Sequence, residues 1–229
     1  MLLSLIFFQS SGGVQLFKAE VPGPVADKIK PRVRETAKFL WIVYVGITLA
    51  QILALSAAGM GTFDSICHAF TTMPTGGFST KNASIGHYDS STIHYIIIFF
   101  MFLAGVNFSL HFRAINGDFK AYIKDKEFAV YFFVTLIITV LIFIFVSINN
   151  LDFTLLNFRE SLFTSISILT TTGYGSADYE LWPVAVQAIL LILMFVGGMG
   201  GSTAGGMKVI RCMLLVKYAA LETRRMLHS

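Results

Sequence analysis

Four stretches of the chain stay apolar on every face for several helical turns. They run roughly Ala37–Ala58, Thr92–Phe112, Phe128–Ile148 and Trp182–Val196. A helix built against one soluble core shows a single apolar stripe, whereas all-round apolarity over ~20 residues suits a crossing of ~30 Å of hydrocarbon. The first three stretches reach that length. The fourth stops at a glycine-rich run, and a further helix is predicted from Met207 to about Arg225. Met1–Phe8 is apolar but too short to span, and without a basic leader it reads as the last turns of a preceding helix.

Between the long stretches lie two connections of a different kind. Each holds a short apolar segment, Phe63-Asp-Ser-Ile-Cys-His-Ala-Phe-Thr-Thr72 and Phe158-Arg-Glu-Ser-Leu-Phe-Thr-Ser-Ile-Ser-Ile-Leu169. Segments of about 10–14 apolar residues are candidates for re-entrant helices that enter a bilayer and return. Both run into a Thr/Gly cluster, Thr72-Met-Pro-Thr-Gly-Gly-Phe-Ser79 and Thr170-Thr-Thr-Gly-Tyr-Gly-Ser176. Aligning Gly76 with Gly173 gives the same order twice: span, short helix, Thr-Gly turn, span. Such an internal repeat constrains the fold more than either motif alone.

Composition agrees with the pattern. Of 229 residues, 55% are hydrophobic and 13% charged, and the mean hydropathy is +0.71. A soluble domain carries about 25% charged residues, so the predicted class is an all-α integral membrane protein. The long apolar runs exclude an outer-membrane barrel of ~10-residue alternating strands. Cys67 and Cys212 form neither a CxxC nor a metal-ligand spacing. The net charge of +4 is distributed along the chain as in a membrane protein and does not point to nucleic acid.

Charge also sets orientation. Lys18, Lys28, Lys30, Arg32, Arg34 and Lys38 precede the first span, and Arg113, Lys120, Lys124 and Lys126 lie between the second and third. Lys208, Arg211, Lys217, Arg224 and Arg225 follow the fourth, so the two remaining connections hold only Lys81 and Arg159 of 17 basic residues. Those connections also hold Asp64, Asp89, Asp152, Glu160, Asp178 and Glu180. The basic loops are therefore predicted to be cytoplasmic and the acidic ones external, where carboxylates raise the local cation concentration.

Irregular backbone at membrane depth is tolerated only where it is buried in protein or lines water. A Thr/Gly strand can turn successive carbonyls toward one axis, replacing the hydration shell of an ion such as potassium. The short helix before it points its partially negative C-terminal end the same way. In the fourth segment Gly197-Gly-Met-Gly-Gly-Ser-Thr-Ala-Gly-Gly206 places six glycines in ten residues. At about 1 kcal/mol per glycine relative to alanine, a continuous helix is not expected there. An unwound loop beneath the filter is predicted, comprising Gly197, Gly198, Gly200, Gly201, Ser202, Thr203, Gly205 and Gly206, with Lys208 beside it contacting exposed carbonyls or acidic groups.

These residues resemble the Trk/Ktr/HKT superfamily of potassium transporters, most nearly its bacterial TrkH branch. The resemblance rests on Ala19-Glu-Val-Pro-Gly-Pro24, Pro31-Arg-Val-Arg-Glu-Thr-Ala-Lys38, His68-Ala-Phe-Thr-Thr-Met-Pro-Thr-Gly-Gly-Phe-Ser-Thr80 and Asn107-Phe-Ser-Leu-His-Phe-Arg113. It continues in Thr170-Thr-Thr-Gly-Tyr-Gly175 and Gly197-Gly-Met-Gly-Gly-Ser-Thr-Ala-Gly-Gly-Met-Lys-Val-Ile-Arg211. It implies potassium uptake across a bacterial inner membrane by a multi-pass homodimer, with K+ as the transported ion and no organic cofactor. It also implies a cytosolic nucleotide-binding regulatory subunit, for which the basic segments Lys28–Lys38 and Arg113–Lys126 are candidate docking sites. Ion-facing carbonyls map onto Pro74, Thr75, Gly76 and Gly77, and onto Thr171, Thr172, Gly173 and Tyr174, with the 197–206 loop as a gate. The implied organisation is the tail of one repeat and a linker over 1–34, a second repeat over 35–126 and a third over 127–229. The chain is then expected to be a fragment of a transporter with four such repeats.

Other chemistries fit less well. Gly201-Ser-Thr-Ala-Gly-Gly-Met-Lys208 superficially matches a phosphate-binding loop, but Met207 stands where the lysine belongs and a membrane helix precedes it. An intramembrane hydrolase would pair Ser202 or Ser176 with His68, His94 or His111, yet no motif links them. A non-transporting membrane scaffold is the remaining alternative. Asn107, inside the second span, is expected to find an interhelical partner, and His111 to mark a cytoplasmic helix end. Tyr174 is expected to stiffen the filter by stacking.

Overall fold

The computed structural model describes residues 33–228, which are helical wherever they are regular, with a lone bridge between Val196 and Met207. The segments 1–8, 18–32 and 19–24 singled out in the sequence lie outside the described residues. Helix α1 spans Val33–Ala57, the short α2 Thr62–Thr72 and α3 Ser91–Ala104. Helix α4 covers Phe108–Ile115 and α5 Lys120–Lys124. The second half repeats the long–short order with α6 over Lys126–Asn150, α7 over Leu155–Leu169, α8 over Val184–Leu193 and α9 over Val209–His228. Ala37–Ala57 and Lys126–Asn149 are each long and apolar enough to cross a membrane.

The second span is not continuous as expected. It breaks after Ala104, and α3 and α4 are bent by 103°. Asn107 explains the restart: its side chain accepts a hydrogen bond from the Ser109 N–H at 2.9 Å, capping α4. At the bend only glycine fits at residue 105, since a Cβ there would lie 2.3 Å from the Tyr131 hydroxyl. The expected interhelical hydrogen bond of Asn107 is thus replaced by a local cap. His111 lies in the same short helix α4. It is buried, with Nδ1 2.7 Å from the Tyr122 hydroxyl and Nε2 3.0 Å from the Leu103 carbonyl.

Two clusters hold the halves together. Leu55 of α1 and Ile93, Ile97 and Met101 of α3 pack with Phe163 and Ile166 of α7. Val106, Leu110, Tyr131, Leu169, Leu193, Met199 and Val209 are among those forming the second. Within the second half, Thr139 of α6 and Ser165 of α7 share a buried hydroxyl hydrogen bond of 2.6 Å, the polar contact that substitutes for hydrophobic drive between helices in lipid. Large apolar side chains such as Leu53, Ile137, Ile192 and Phe195 remain on the outside. Exposed apolar side chains along α1 and α6 suit helices that face lipid.

Candidate functional site: two Thr/Gly loops above a glycine-rich segment

Helices α2 and α7 end in the same hydrogen-bonded turn. After α2, the N–H groups of Gly76 and Gly77 both donate to the Thr71 carbonyl at 2.8 and 3.1 Å; after α7, those of Thr172 and Gly173 both donate to the Ser167 carbonyl at 2.9 and 3.2 Å. Thr75 and Thr171 each have φ 56°, and the glycines two residues on, Gly77 and Gly173, have φ 68° and 83°. The Thr71 hydroxyl donates to the Phe78 carbonyl at 2.7 Å, and the Ser167 hydroxyl donates to that of Tyr174 at 2.8 Å. All of these pairs correspond in one register, in which Gly77 matches Gly173.

The alignment of Gly76 with Gly173 is therefore one residue out. Adjacent glycines in the first loop left its register open in sequence, and only the backbone bonds close it. Gly76 matches Thr172, Pro74 matches Thr170, and Thr75 matches Thr171. The carbonyl of Tyr174, assigned to the ion path, is already bonded by Ser167.

The two loops touch. A Cβ built on Gly77 would lie 1.8 Å from the Thr172 carbonyl oxygen, whereas one on Gly173 meets nothing within 4 Å. Tyr174 fastens this contact from behind. It is 4% exposed, and its hydroxyl lies 2.5 Å from Thr71 Oγ1, 3.2 Å from Thr72 Oγ1 and 3.1 Å from the His68 carbonyl. These hydrogen bonds tie the second loop to α2. Phe78, at the corresponding position, has no hydroxyl and is 77% exposed.

At the start of α2, Asp64 organises the loop that follows. Its carboxylate accepts from the Thr80 hydroxyl at 2.7 Å and the Tyr88 hydroxyl at 3.0 Å, and pairs with Lys81 at 3.2 Å. The Thr80 hydrogen bond, ahead of those from Lys81 and Tyr88, holds this carboxyl below its ordinary value. A depressed folded-state pKa gives stabilisation that is present above the unfolded value of ~4 and lost as pH falls through the folded value. Between pH 5 and 8 this group should leave stability unchanged. Below pH 4 the thermal midpoint should fall less in Asp64→Asn than in the unmutated chain, as read by size-exclusion after heating.

Below the two loops runs the glycine-rich segment, non-helical as predicted. It closes on itself: Gly197 N–H donates to the Met207 carbonyl at 2.9 Å and Met207 N–H to that of Phe195 at 3.0 Å. A Cβ on Gly197 would meet the Gly205 carbonyl oxygen at 1.9 Å. The segment then bonds to both Thr/Gly loops at equivalent residues. Thr75 Oγ1 donates to the Thr203 carbonyl at 3.0 Å, and the Gly205 N–H donates to Thr171 Oγ1 at 2.6 Å. Thr203 Oγ1 reaches the Met73 carbonyl at 2.7 Å and that of Ala104 at 3.0 Å.

The break in the second span supplies further anchors. Met199 N–H donates to the Gly105 carbonyl at 2.9 Å and Phe108 N–H to that of Gly201 at 3.2 Å. Lys208 bonds to the Ala204 carbonyl and lies 3.4 Å from the carbonyl and hydroxyl of Ser202, so it contacts carbonyls as expected. One further anchor has no signal in the sequence: Glu127, which accepts from Gly200 N–H, reads there as an ordinary acid in a helix's first turn.

The hydrolase pairing does not form. His68 bonds to the Asp64 carbonyl and Ser79, and His94 to the Tyr88 carbonyl. The Ser202 hydroxyl donates to the Met199 carbonyl.

Two helices long and apolar enough to cross a membrane, with two abutting Thr/Gly loops between them and their neighbours, define an α-helical membrane protein. More particularly, the chain belongs to the TrkH family of cation transport proteins, whose description matches residues 2–228. It is 43% identical over 220 residues to the Trk system potassium uptake protein TrkH of Salmonella typhimurium, covering 95% of this chain and 46% of that protein. It is 35% identical over 221 residues to TrkG of Escherichia coli K12, covering 95% of this chain and 45% of the relative. The crystal structure of the potassium transporter TrkH from Vibrio parahaemolyticus matches with a TM-score of 0.85 at 38% identity, over 93% of this chain and 46% of that one. The chain thus spans about half the length of the curated relatives it matches.

Proposed function

We propose that this chain contributes two walls of a potassium-selective pathway and the gate beneath it. Helices α2 and α7 are the pore helices of two repeats, 35–126 and 127–229. The carbonyls of Thr75, Gly76 and Gly77 and of Thr171, Thr172 and Gly173 replace water around K+, with those of Pro74 and Tyr174 at the margins. The segment 197–206 with Lys208 obstructs the pathway from the cytoplasmic side. The observation that carries this reading is the matched pair Thr75 and Thr171, alike in backbone and both bonded to residues 203–205. A carbonyl filter needs about four walls around one axis, so the other two come from further chain or from a second copy.

The family and the charge pattern support a multi-pass setting in the bacterial inner membrane, where the protein works as a homodimer. A cytosolic nucleotide-binding regulatory subunit moves the gate from the basic side. The test is growth at low potassium of bacteria lacking their own uptake systems. They would express this chain, or the relative from Vibrio parahaemolyticus with this chain grafted over the matching half. The graft should restore growth and should fail when it carries Gly173→Asp. Growth that is indifferent to Gly173→Asp would overturn the reading.

A further inference from the structure

The carboxylate of Glu127 sits in the first turn of α6, yet its hydrogen bonds leave that helix. Oε1 accepts from Gly200 N–H at 2.7 Å and from Ile210 N–H at 3.0 Å. One oxygen therefore holds the middle of the glycine-rich segment and the first turn of α9 together. Nothing else in α6 requires an acid there, since Asp125 already caps that helix by accepting from Phe128 N–H at 2.8 Å. Gly200 is buried and Glu127 half-buried, and a hydrogen bond to a charged acceptor is stronger than a neutral one, more so away from water.

The bridge has a mechanical consequence. The segment 197–206 is also tied to Met73, Thr75, Ala104 and Thr171, and at the break in the second span to Gly105 and Phe108. Its links to the start of α9 include Val209 N–H on the Gly198 carbonyl at 3.1 Å, the Lys208 side chain on Ala204 and Ser202 just before that helix, and the shared Glu127 oxygen. A displacement of α9 pulls on Gly200 through that oxygen, while α6 resists it.

We propose that Glu127 is a positioning residue that latches the glycine-rich segment in its obstructing place and couples it to α9. The proposal rests on the gating function of that segment, so its test carries a readout independent of flux. With Cys67 and Cys212 replaced by Ala, Ser202→Cys reports exposure of the segment through its rate of modification by a charged thiol reagent added from the cytoplasmic side. The reference is Ser202→Cys with Glu127 intact, in the graft described above. Glu127→Ala should raise both that rate and rubidium uptake on the order of 10-fold, as expected for loss of a charge-assisted bond. Glu127→Gln, whose amide oxygen can still accept both bonds, should stay within about threefold of the reference. Glu127→Leu keeps the bulk and removes both acceptors, and should behave like the alanine variant.

Four outcomes are decisive. Unchanged modification in the alanine and leucine variants overturns the latch. Failure of both to accumulate while Glu127→Gln accumulates normally assigns Glu127 to folding and also overturns it. Faster modification with unchanged uptake supports the latch and overturns the gating function instead. Faster modification with increased uptake supports both.

Discussion

Replacing Gly77 with alanine should reduce potassium uptake to background, at least on the order of a 100-fold loss, which corresponds to about 3 kcal/mol on the transport barrier. Two penalties combine. The residue has φ 68°, a left-handed conformation that costs a side-chain-bearing residue about 1–2 kcal/mol. The added methyl would also lie 1.8 Å from the Thr172 carbonyl oxygen. That oxygen belongs to backbone fixed by the Ser167 carbonyl bonds, so relief requires displacing the second loop. Gly173→Ala provides the contrast. Its φ of 83° carries the same backbone cost, but its Cβ meets nothing within 4 Å. Rubidium uptake in the graft should therefore fall much further for Gly77→Ala than for Gly173→Ala. Equal loss in both would mean that the contact between the loops has no functional weight.

The opposite sign is expected at Gly197. A methyl there would sit 1.9 Å from the Gly205 carbonyl oxygen, where the glycine-rich segment closes on itself. The two sides must separate, and Gly205 loses its place against Thr171 Oγ1. Gly197→Ala should accordingly raise uptake without an activating signal on the order of 10-fold, since displacement by about 1.4 kcal/mol suffices for that change. A fall in uptake with normal accumulation in the membrane would show that the segment supports the pathway and does not obstruct it.

Sequence periodicity reached the class of the fold, because all-round apolar runs of ~20 residues have few other uses. The two short helices followed from their length, and the unwound segment from its glycines. What escaped depended on single residues whose effects cancel in a running average. Asn107 and Gly105 break a stretch that hydropathy reads as continuous, since a helix cap needs one side-chain oxygen and leaves the surrounding composition apolar. The register between the loops was ambiguous because Gly76 and Gly77 are adjacent. Glu127 was invisible for a different reason: its partners are main-chain N–H groups some 73 and 83 positions away, and backbone donors leave no trace in residue identity. At Tyr174, a ring flanked by glycine does not disclose its three hydrogen-bonding neighbours on α2.

The central claim is that the Thr75–Gly77 and Thr171–Gly173 carbonyls hold the transported ion. Thallium, a heavy substitute for potassium, tests it directly. Crystals of the graft grown with thallium should show anomalous density between the two loops, against the carbonyls of Thr75 and Thr171 and the residues just after them. The density should diminish as potassium, but not sodium, is added. Thallium bound elsewhere along the pathway with none between these loops, or displaced equally by sodium, would contradict the account.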